Sequence, residues 1–180
     1  MAARLQSVAL SGALLLTCTA LAACGDSGGT AATTSTATTA TTAANVAAVE
    51  RVVDGDTFVV RTNHGLERVR LIGVDTPETV KPKAPVECFG PEASAEAGRL
   101  LAGRTVRLEF DVERRDAYGR LLAWVFRRPD GLLINEALLR GGWGERFRNT
   151  PNTRYRDRLV KAERTARREG AGLWGACPAR

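Results

Sequence analysis

The stretch Arg70-Leu71-Ile72-Gly73-Val74-Asp75-Thr76-Pro77-Glu78 places a strand-like apolar run directly before a turn that carries two carboxylates. Pro77 disfavours the helical region for Thr76, so the Asp-Thr-Pro-Glu segment is predicted to be an extended loop rather than the start of a helix. Such a loop can direct Asp75 and Glu78 into one shared space. The alternative is an ordinary turn with a capping aspartate, since Asp and Pro are both common in turns.

A second acidic turn and a second isolated arginine favour a functional site over an ordinary turn. The upstream turn is Asp54-Gly55-Asp56-Thr57, and Arg120 closes the downstream segment Asp116-Ala117-Tyr118-Gly119-Arg120. His64 is the single histidine and lies in a predicted hairpin turn, so chemistry that needs a pair of histidines has no basis here. Acids and arginines without a usable histidine suit metal-assisted attack on a phosphodiester.

The acids and arginines have complementary roles in such a reaction. If Asp56 and Asp75 converge to about 4 Å, they repel by roughly 4 kcal/mol at an effective dielectric near 20, so either one is protonated or a cation lies between them. Oxygen ligands without His or Cys favour calcium or magnesium, and we expect Ca²⁺ because it tolerates irregular loop geometry better. Arg70 and Arg120 can donate to a phosphate as its negative charge builds. Glu78 can accept a proton from the attacking water.

Composition and charge set broader limits. The 180 residues are 44% hydrophobic, which is enough for one compact domain after a leader is set aside. The net charge is +6, and the lysines are few: Lys81, Lys83 and Lys161. Arginine forks match phosphate groups, so the charge is compatible with a polyanionic partner. Charge alone is equally compatible with a compositional bias toward arginine, and each arginine taken singly could be a surface ion pair of little energetic weight.

The first residues are typical of an export signal. Arg4 precedes the apolar run from Val8 to Leu21, which is too short to be a comfortable membrane span. The following Leu21-Ala22-Ala23-Cys24-Gly25 resembles the lipobox of bacterial lipoproteins. That resemblance implies cleavage after residue 23, acylation of Cys24 and stable anchoring to the membrane outside the cytoplasm. A plain secretory signal with an incidental cysteine, and hence a secreted protein, is the alternative.

The next segment, residues 24–48, is rich in threonine and alanine and has little charge or periodicity. We interpret it as a disordered tether. Alternating and apolar segments then begin, so the folded domain is predicted over residues 49–180. Its predicted strands lie at 51–53, 58–60, 66–74, 105–112 and 120–126, and its predicted helices at 90–102, at 134–140 and from about 152 or 153 to 169. This order predicts an α+β domain, for which a five-stranded OB barrel with about three helices is one fitting architecture.

Five motifs occur in one order along residues 50–175. They are Val53–Thr57, Arg70–Thr79, Gly90–Ala95, Tyr118–Arg120 and Asn135–Leu138. Together they resemble the staphylococcal (micrococcal) nuclease family. The resemblance implies an OB barrel with three helices, and a calcium-dependent phosphodiesterase that cuts DNA and RNA to 3′-phosphate and 5′-hydroxyl ends.

The resemblance also implies roles for the matched residues. The implied calcium ligands are the carboxylates of Asp56 and Asp75 and the carbonyl of Thr76, with Asp54 nearby. The implied catalytic residues are Arg70, Glu78 and Arg120, and whether Glu78 is the general base is open. Tyr118 matches a nucleotide-contacting tyrosine. Ala117 stands where the family's type member has a lysine, so one phosphate contact is expected to be lost.

Phe147 lies in the segment that matches the family's tyrosine-rich stretch. It either stacks on a base of the substrate or has a core or surface role. Two cysteines remain after the signal and the lipid candidate: Cys88 and Cys177. In an exported protein they are expected to form a disulfide, with two free thiols as the alternative. The bridge would close a loop of about 90 residues and contribute up to roughly 4–5 kcal/mol.

The leading interpretation is thus an exported, membrane-tethered, monomeric nuclease. Two other classes fit parts of the sequence: a non-catalytic nucleic-acid-binding module, and an oligosaccharide-binding or adhesive surface lipoprotein. The first is disfavoured because every matching acid and arginine is present, and the second leaves the paired carboxylates without a role.

Overall fold

The computed structural model describes residues 45–79 and 85–177. The predicted signal peptide, Cys24 and nearly all of the predicted tether therefore lie outside the described residues. Over the two described ranges, none of the helices has the length and apolar character needed to cross a bilayer.

Strands and helices are interspersed along the described ranges. The strands are β1 (Val46–Asp54), β2 (Thr57–Thr62), β3 (Gly65–Leu71), β4 (Val74–Asp75), β5 (Thr105–Glu109), β6 (Leu121–Arg127) and β7 (Glu145–Arg146). The helices are α1 (Gly90–Leu101), α2 (Ile134–Arg140), α3 (Arg156–Glu169) and the short α4 (Leu173–Ala176).

Five of the strands close into a barrel in the order β1-β2-β3-β6-β5, with β5 returning to β1. The β3–β6 pair is parallel, and the other barrel pairs are antiparallel. Closure leaves no open sheet edge. The pair β4–β7 forms a separate two-stranded sheet beside the barrel. The prediction of an α+β domain with a five-stranded OB barrel and about three helices is confirmed.

The barrel interior and the helices share one apolar core. In β5 the buried residues Val106 and Leu108 alternate with more exposed neighbours, as a half-buried strand requires. Trp124 on β6 is 1% exposed and Phe58 on β2 is fully buried. Each large side chain of this kind stabilises the fold by about 1.5–3 kcal/mol. The core thereby fixes the barrel strands that carry the site.

The first strand begins earlier than the sequence predicts. β1 starts at Val46, inside the segment interpreted as tether, and Ala47 is 5% exposed. The Asn45 carbonyl accepts a hydrogen bond from the Leu108 amide at 2.8 Å. Alanine side chains fit the barrel wall, but their composition resembles that of the preceding Thr/Ala-rich segment, so pattern alone places the boundary too late.

Helix α3 begins later than predicted, at Arg156 rather than near residue 152 or 153. The buried Asn152 side chain is occupied by the backbone of Glu113: its Oδ1 accepts the amide hydrogen at 2.7 Å and its Nδ2 donates to the carbonyl at 3.0 Å. Asn152 therefore holds a distant loop rather than capping a helix. The helix ends as predicted at Gly170, which adopts the left-handed conformation.

The expected disulfide is present in the structure. Cys88 and Cys177 are joined with their Cα atoms 6.0 Å apart. The bridge connects the residue two positions before α1 to the residue directly after α4. The alternative of two free thiols is therefore not the state described here.

Candidate active site

The predicted catalytic and metal-binding residues meet in one pocket. Its volume is about 450 Å³, and its lining includes Asp54, Asp56, Arg70, Asp75, Thr76, Glu78 and Arg120. These residues come from four places in the chain: the turn between β1 and β2, the end of β3, the β4 loop and the residue before β6. Barrel closure brings these places together.

Arg70 lies between the two aspartates. Its Nη1 donates to Asp56 Oδ1 at 2.9 Å, and its Nη2 donates to Asp75 Oδ1 at 2.8 Å. Asp56 is 4% exposed, whereas the Asp75 side chain is 58% exposed. The two carboxylates are therefore close enough to share one positive group, here a guanidinium. The expected convergence of Asp56 and Asp75 is observed.

The surroundings of Asp56 disfavour the charged form of its carboxyl group. Burial raises its pKa above the ordinary aspartate value, and the nearby Asp75 carboxylate acts in the same direction. The Arg70 charge and hydrogen bonds from the Thr57 hydroxyl and the Thr76 amide partly oppose the shift. A buried carboxyl with a raised pKa gains from any additional positive charge placed beside it.

The set of donor atoms fits a hard divalent cation, although the set contains only two carboxylates among the residues that the structure describes. The described ranges contain no group of three or more His, Cys, Asp or Glu side chains arranged to hold a metal ion. Two carboxylates from separate segments nevertheless converge on one positive group. A site of this kind needs backbone carbonyls or water to complete its coordination, which suits Ca²⁺ or Mg²⁺. Asp56 and Asp75 are the side chains that could hold it.

The loop that carries Thr76 is pressed against the acidic turn. A Cβ atom on Gly55 would lie 2.7 Å from Thr76 Oγ1, so only glycine permits this approach. Thr76 is 9% exposed, and its Oγ1 is buried without a hydrogen-bond partner in the described part of the chain. This contact sets the distance between the Asp56 turn and the β4 loop.

Asp54 braces the same region. It is 8% exposed, and its Oδ1 accepts hydrogen bonds from the Gly55 amide, the Thr79 hydroxyl and the Ser94 hydroxyl, each at 2.8 Å. The turn, the β4 loop and helix α1 are therefore tied to one oxygen atom. Ser94 and Thr79 belong to the motifs quoted above, but sequence alone does not indicate this shared partner.

Arg120 is oriented by Asp116, a residue that sequence reasoning missed. Asp116 Oδ2 accepts from Arg120 Nε at 2.7 Å, and Asp116 Oδ1 accepts from the amides of Arg120 and Tyr118 at 3.0 and 2.9 Å. Arg120 Nη1 also lies 3.4 Å from Thr57 Oγ1. An aspartate that accepts backbone amides two and four residues ahead is a common turn feature, and that signal could have identified it.

Glu78 is half-buried and lines the pocket. Its Oε1 accepts the Thr79 amide hydrogen at 3.0 Å. Its own amide donates to Glu87 Oε2 at 3.3 Å, and its carbonyl accepts from the Glu87 amide at 3.0 Å. Glu87 also lines the pocket and was not predicted, because its approach to Glu78 depends on tertiary structure.

The predicted substrate contacts lie in an adjoining groove. Tyr118 is 85% exposed and Phe147 is 41% exposed, and both line a groove that shares Arg70 and Arg120 with the pocket. The Arg70 guanidinium lies 6.0 Å from the Phe147 ring centroid, and that of Arg120 lies 5.4 Å from the Tyr118 ring. Phe147 is thus a surface residue near the site and not part of the core.

The closed barrel and its pocket of acids and arginines are the features expected of a nuclease built on an OB barrel. Comparisons with known proteins point to the same class of protein. A family model described as staphylococcal nuclease homologue matches residues 68–176. Thermonucleases from Staphylococcus hyicus and Staphylococcus intermedius are 40% and 41% identical over 126 residues, covering 70% of this chain and 73% and 74% of theirs. Endonuclease YncB of Bacillus subtilis is 39% identical over 128 residues, covering 70% of this chain and 60% of its own.

The chain therefore belongs to the staphylococcal nuclease family, and it is a nuclease, that is, a phosphodiester hydrolase. Family membership implies a metal-dependent reaction on nucleic acid.

Proposed function

We propose that this nuclease is a calcium-dependent endonuclease that hydrolyses DNA and RNA to products with 3′-phosphate and 5′-hydroxyl ends. The observation that supports it most is the placement of Asp56, Asp75, Arg70, Glu78 and Arg120 around one pocket. Similarity to two thermonucleases and to an endonuclease adds support.

The proposed ligands of calcium are the carboxylates of Asp56 and Asp75 and the backbone carbonyl of Thr76. Asp54 lies nearby and braces the turn through its three hydrogen bonds. An oxygen-only site made from loop segments suits calcium better than an ion that demands regular octahedral geometry. A bound cation supplies positive charge to a phosphate oxygen and acidifies water that it contacts.

Arg70 and Arg120 are proposed to contact the scissile phosphate. Arg70 enters the pocket from β3 and Arg120 from the residue before β6, so their forks can donate to two different oxygens. Donors fixed before the reaction stabilise the negative charge that develops on those oxygens in the transition state. Asp116 acts as a positioning residue, because its three hydrogen bonds hold Arg120 and its backbone.

Glu78 is proposed to accept a proton from the attacking water. It lines the same pocket as Arg70 and Arg120, and its backbone is held on both sides by Glu87. Water oxygen then bonds to phosphorus, the bond from phosphorus to the 5′ oxygen breaks, and that oxygen leaves as a hydroxyl after taking up a proton. The phosphate stays on the 3′ side.

Tyr118 and Phe147 are proposed to contact nucleotides next to the scissile phosphate. Both are exposed rings beside an arginine of the pocket. Aromatic faces stack on any base, which is consistent with action on both DNA and RNA. Ala117 supplies no charge at the position before Tyr118, so this part of the groove relies on stacking.

The location of the enzyme is also a proposal. We infer a signal peptide over residues 1–23, a lipid anchor on Cys24, a tether that ends before Val46 and a nuclease domain that begins with β1 at Val46. The chain would then act as a monomer outside the cytoplasm, held at the membrane by its anchor. Replacement of Cys24 by serine should release it from the membrane fraction.

A plasmid-nicking assay tests the proposed reaction. We expect cleavage with Ca²⁺ and loss of cleavage with chelator, with Glu78→Gln and with Arg120→Ala. Arg164→Ala, an exposed arginine on α3, is the matched control and should cleave normally. Products with 5′-hydroxyl ends should accept phosphate from a polynucleotide kinase without prior dephosphorylation. Cleavage that survives chelation would contradict the calcium requirement.

A further inference from the structure

The disulfide lies next to the residue that holds Glu78. Cys88 follows Glu87 directly, and Glu87 and Glu78 exchange two hydrogen bonds, one from each backbone amide. Neither cysteine lines the pocket, whereas both glutamates do. The bridge is therefore one residue away from a direct contact with the proposed proton acceptor.

The chain turns a corner over residues 88–90, where it enters α1, and this corner is tightly packed. Phe89 has φ 70°, the one positive value at a non-glycine residue in the described ranges, a conformation that surrounding contacts must maintain. Its ring stacks on Trp143 with centroids 5.2 Å apart. A Cβ atom on Gly90 would lie 2.7 Å from Thr79 Cγ2 and 3.2 Å from the Glu78 carbonyl oxygen. The corner thus presses directly on the backbone that carries Glu78.

The other end of the bridge is attached to the body of the domain. The Cys177 amide donates to the Leu173 carbonyl at 3.0 Å, and the Leu173 amide donates to the Gly142 carbonyl at 2.9 Å. Leu173 is 4% exposed, so α4 is seated by a buried side chain. Gly142 directly precedes Trp143, on which Phe89 stacks. The ring stack therefore ties Phe89 directly to the Gly142–Trp143 segment, and the bridge ties Cys88 to the same segment indirectly, through α4.

We propose that the Cys88–Cys177 bridge and Glu87 are positioning elements for Glu78, so that full turnover of the enzyme requires the oxidised disulfide. This inference rests on the proposed role of Glu78. Phosphate contacts come from Arg70 and Arg120, which are fixed by the barrel strands and by Asp116, and not by the corner. Loss of the bridge should therefore lower kcat and leave KM for the nucleic acid nearly unchanged.

The test compares oxidised and reduced full-length protein with the double variant Cys88→Ser/Cys177→Ser. Dithiothreitol supplies two electrons and two protons, the S–S bond becomes two thiols, and the reagent becomes its cyclic disulfide. We expect reduction to lower kcat by roughly 10- to 100-fold, the range for displacement of a catalytic group by up to about 1 Å. KM should change by less than about threefold. The double variant should match the reduced enzyme and should not respond to dithiothreitol.

Glu87 variants keep the bridge and test positioning separately from folding. Glu87→Gln retains an oxygen acceptor for the Glu78 amide and should keep most of the activity, whereas Glu87→Ala should lower kcat by roughly tenfold with KM unchanged. Glu92→Ala removes an exposed acid from α1 and serves as the matched control. Circular dichroism at the assay temperature confirms that each variant is folded.

The outcomes separate this inference from the proposed reaction. If the oxidised wild-type enzyme fails to cleave in Ca²⁺, the proposed function is wrong and this inference falls with it. If the oxidised enzyme cleaves, and the folded double variant and Glu87→Ala cleave with the same kcat, the bridge is a structural staple only and this inference alone is overturned.

Discussion

The two walls of the candidate active-site pocket are held by different forces. The barrel wall consists of Asp56, Thr57, Arg70 and Arg120. The loop wall is formed by the segments 76–79 and 85–87, which contribute Thr76, Glu78, Pro85 and Glu87 to the lining. Thr57 and Arg70 are partners in the β2–β3 ladder, so backbone hydrogen bonds fix the barrel wall. Residues 76–79 and 85–87, the parts of this loop that the structure describes, belong to no strand. The loop wall depends on side-chain bonds to Asp54, on the pair Glu78 and Glu87, and on the bridge next to Glu87.

This difference separates binding from proton transfer. The arginines that we propose to bind the phosphate, Arg70 and Arg120, stand on the barrel wall, where the β2–β3 ladder and Asp116 hold them. The proposed proton acceptor stands on the wall that is clamped by a few specific contacts. Changes to the loop wall should therefore reduce turnover, whereas changes to the barrel wall should also reduce substrate binding.

The largest effect is expected for Glu78→Gln. Gln cannot accept the proton, so kcat should fall by roughly 10²- to 10⁴-fold. KM should stay nearly constant, because the phosphate contacts proposed for Arg70 and Arg120 are not altered. Steady-state kinetics on a single-stranded oligonucleotide measures both constants. The contrary result is a variant of the barrel wall that loses as much kcat while its KM stays unchanged. That result would show that the two walls do not differ in function.

A smaller effect, on kcat/KM, is expected for Asp116→Ala. The Arg120 side chain would lose its acceptor at Nε, and two backbone amides would lose theirs. We expect kcat/KM to fall by roughly 10- to 100-fold through loss of orientation. Asp157→Ala, an exposed aspartate on α3, is the matched control. Asp116→Asn should restore part of the activity because it retains an acceptor oxygen.

These two variants also illustrate what the sequence could and could not predict. Asp56, Asp75, Arg70 and Glu78 were predicted because each lies in a short motif whose residue types fit one reaction. Glu87 was not, since its approach to Glu78 forms only in the folded chain. Asp116 was also missed, although its position at the start of a turn is a local signal.

Element boundaries show the same division between local and tertiary information. Helix α2 over Ile134–Arg140 follows the local pattern and was placed correctly. The start of α3 was placed too early because Asn152, a good capping residue by type, is bonded instead to Glu113. The start of β1 was placed too late because the burial of Ala47 is a property of the closed barrel.

A stability effect is expected for the hydrogen bonds that tie helix α1 and the loop wall to Asp54. Ser94→Ala removes one of the three donors to Asp54 Oδ1, which is buried. The remaining donors limit the loss, so the free energy of unfolding should fall by about 1 kcal/mol. Urea denaturation with Glu92→Ala as the control measures it. If kcat falls by more than the loss of stability explains, Asp54 also positions the loop wall.

The smallest effect is expected in the pH dependence of stability, and it arises at Glu163, outside the pocket. Glu163 is 6% exposed and accepts hydrogen bonds from the Arg146 amide and from Arg167. Burial opposes its ionisation, but these bonds and the adjacent arginine charges outweigh burial and lower its pKa. The stabilisation is complete above the ordinary glutamate pKa of 4.5 and is lost as the pH falls through the lower folded-state value.

Glu163→Gln should therefore flatten the acid limb of the stability curve. At pH 7 the variant should lose about 1 kcal/mol, and near pH 3 it should approach the wild type. Urea unfolding followed at several pH values measures this difference. A difference that is constant across this pH range would show that the carboxylate charge does not contribute.

The central claim is that Asp56 and Asp75 hold one divalent cation beside the two arginines. Calorimetric titration of Ca²⁺ into the wild type and into Asp75→Asn tests it most directly, since Asp75 is exposed and its replacement by asparagine should leave the fold intact. We predict a single binding event in the wild type that is lost or weakened by at least roughly tenfold in the variant. Equal Ca²⁺ affinity in the two proteins would contradict the account.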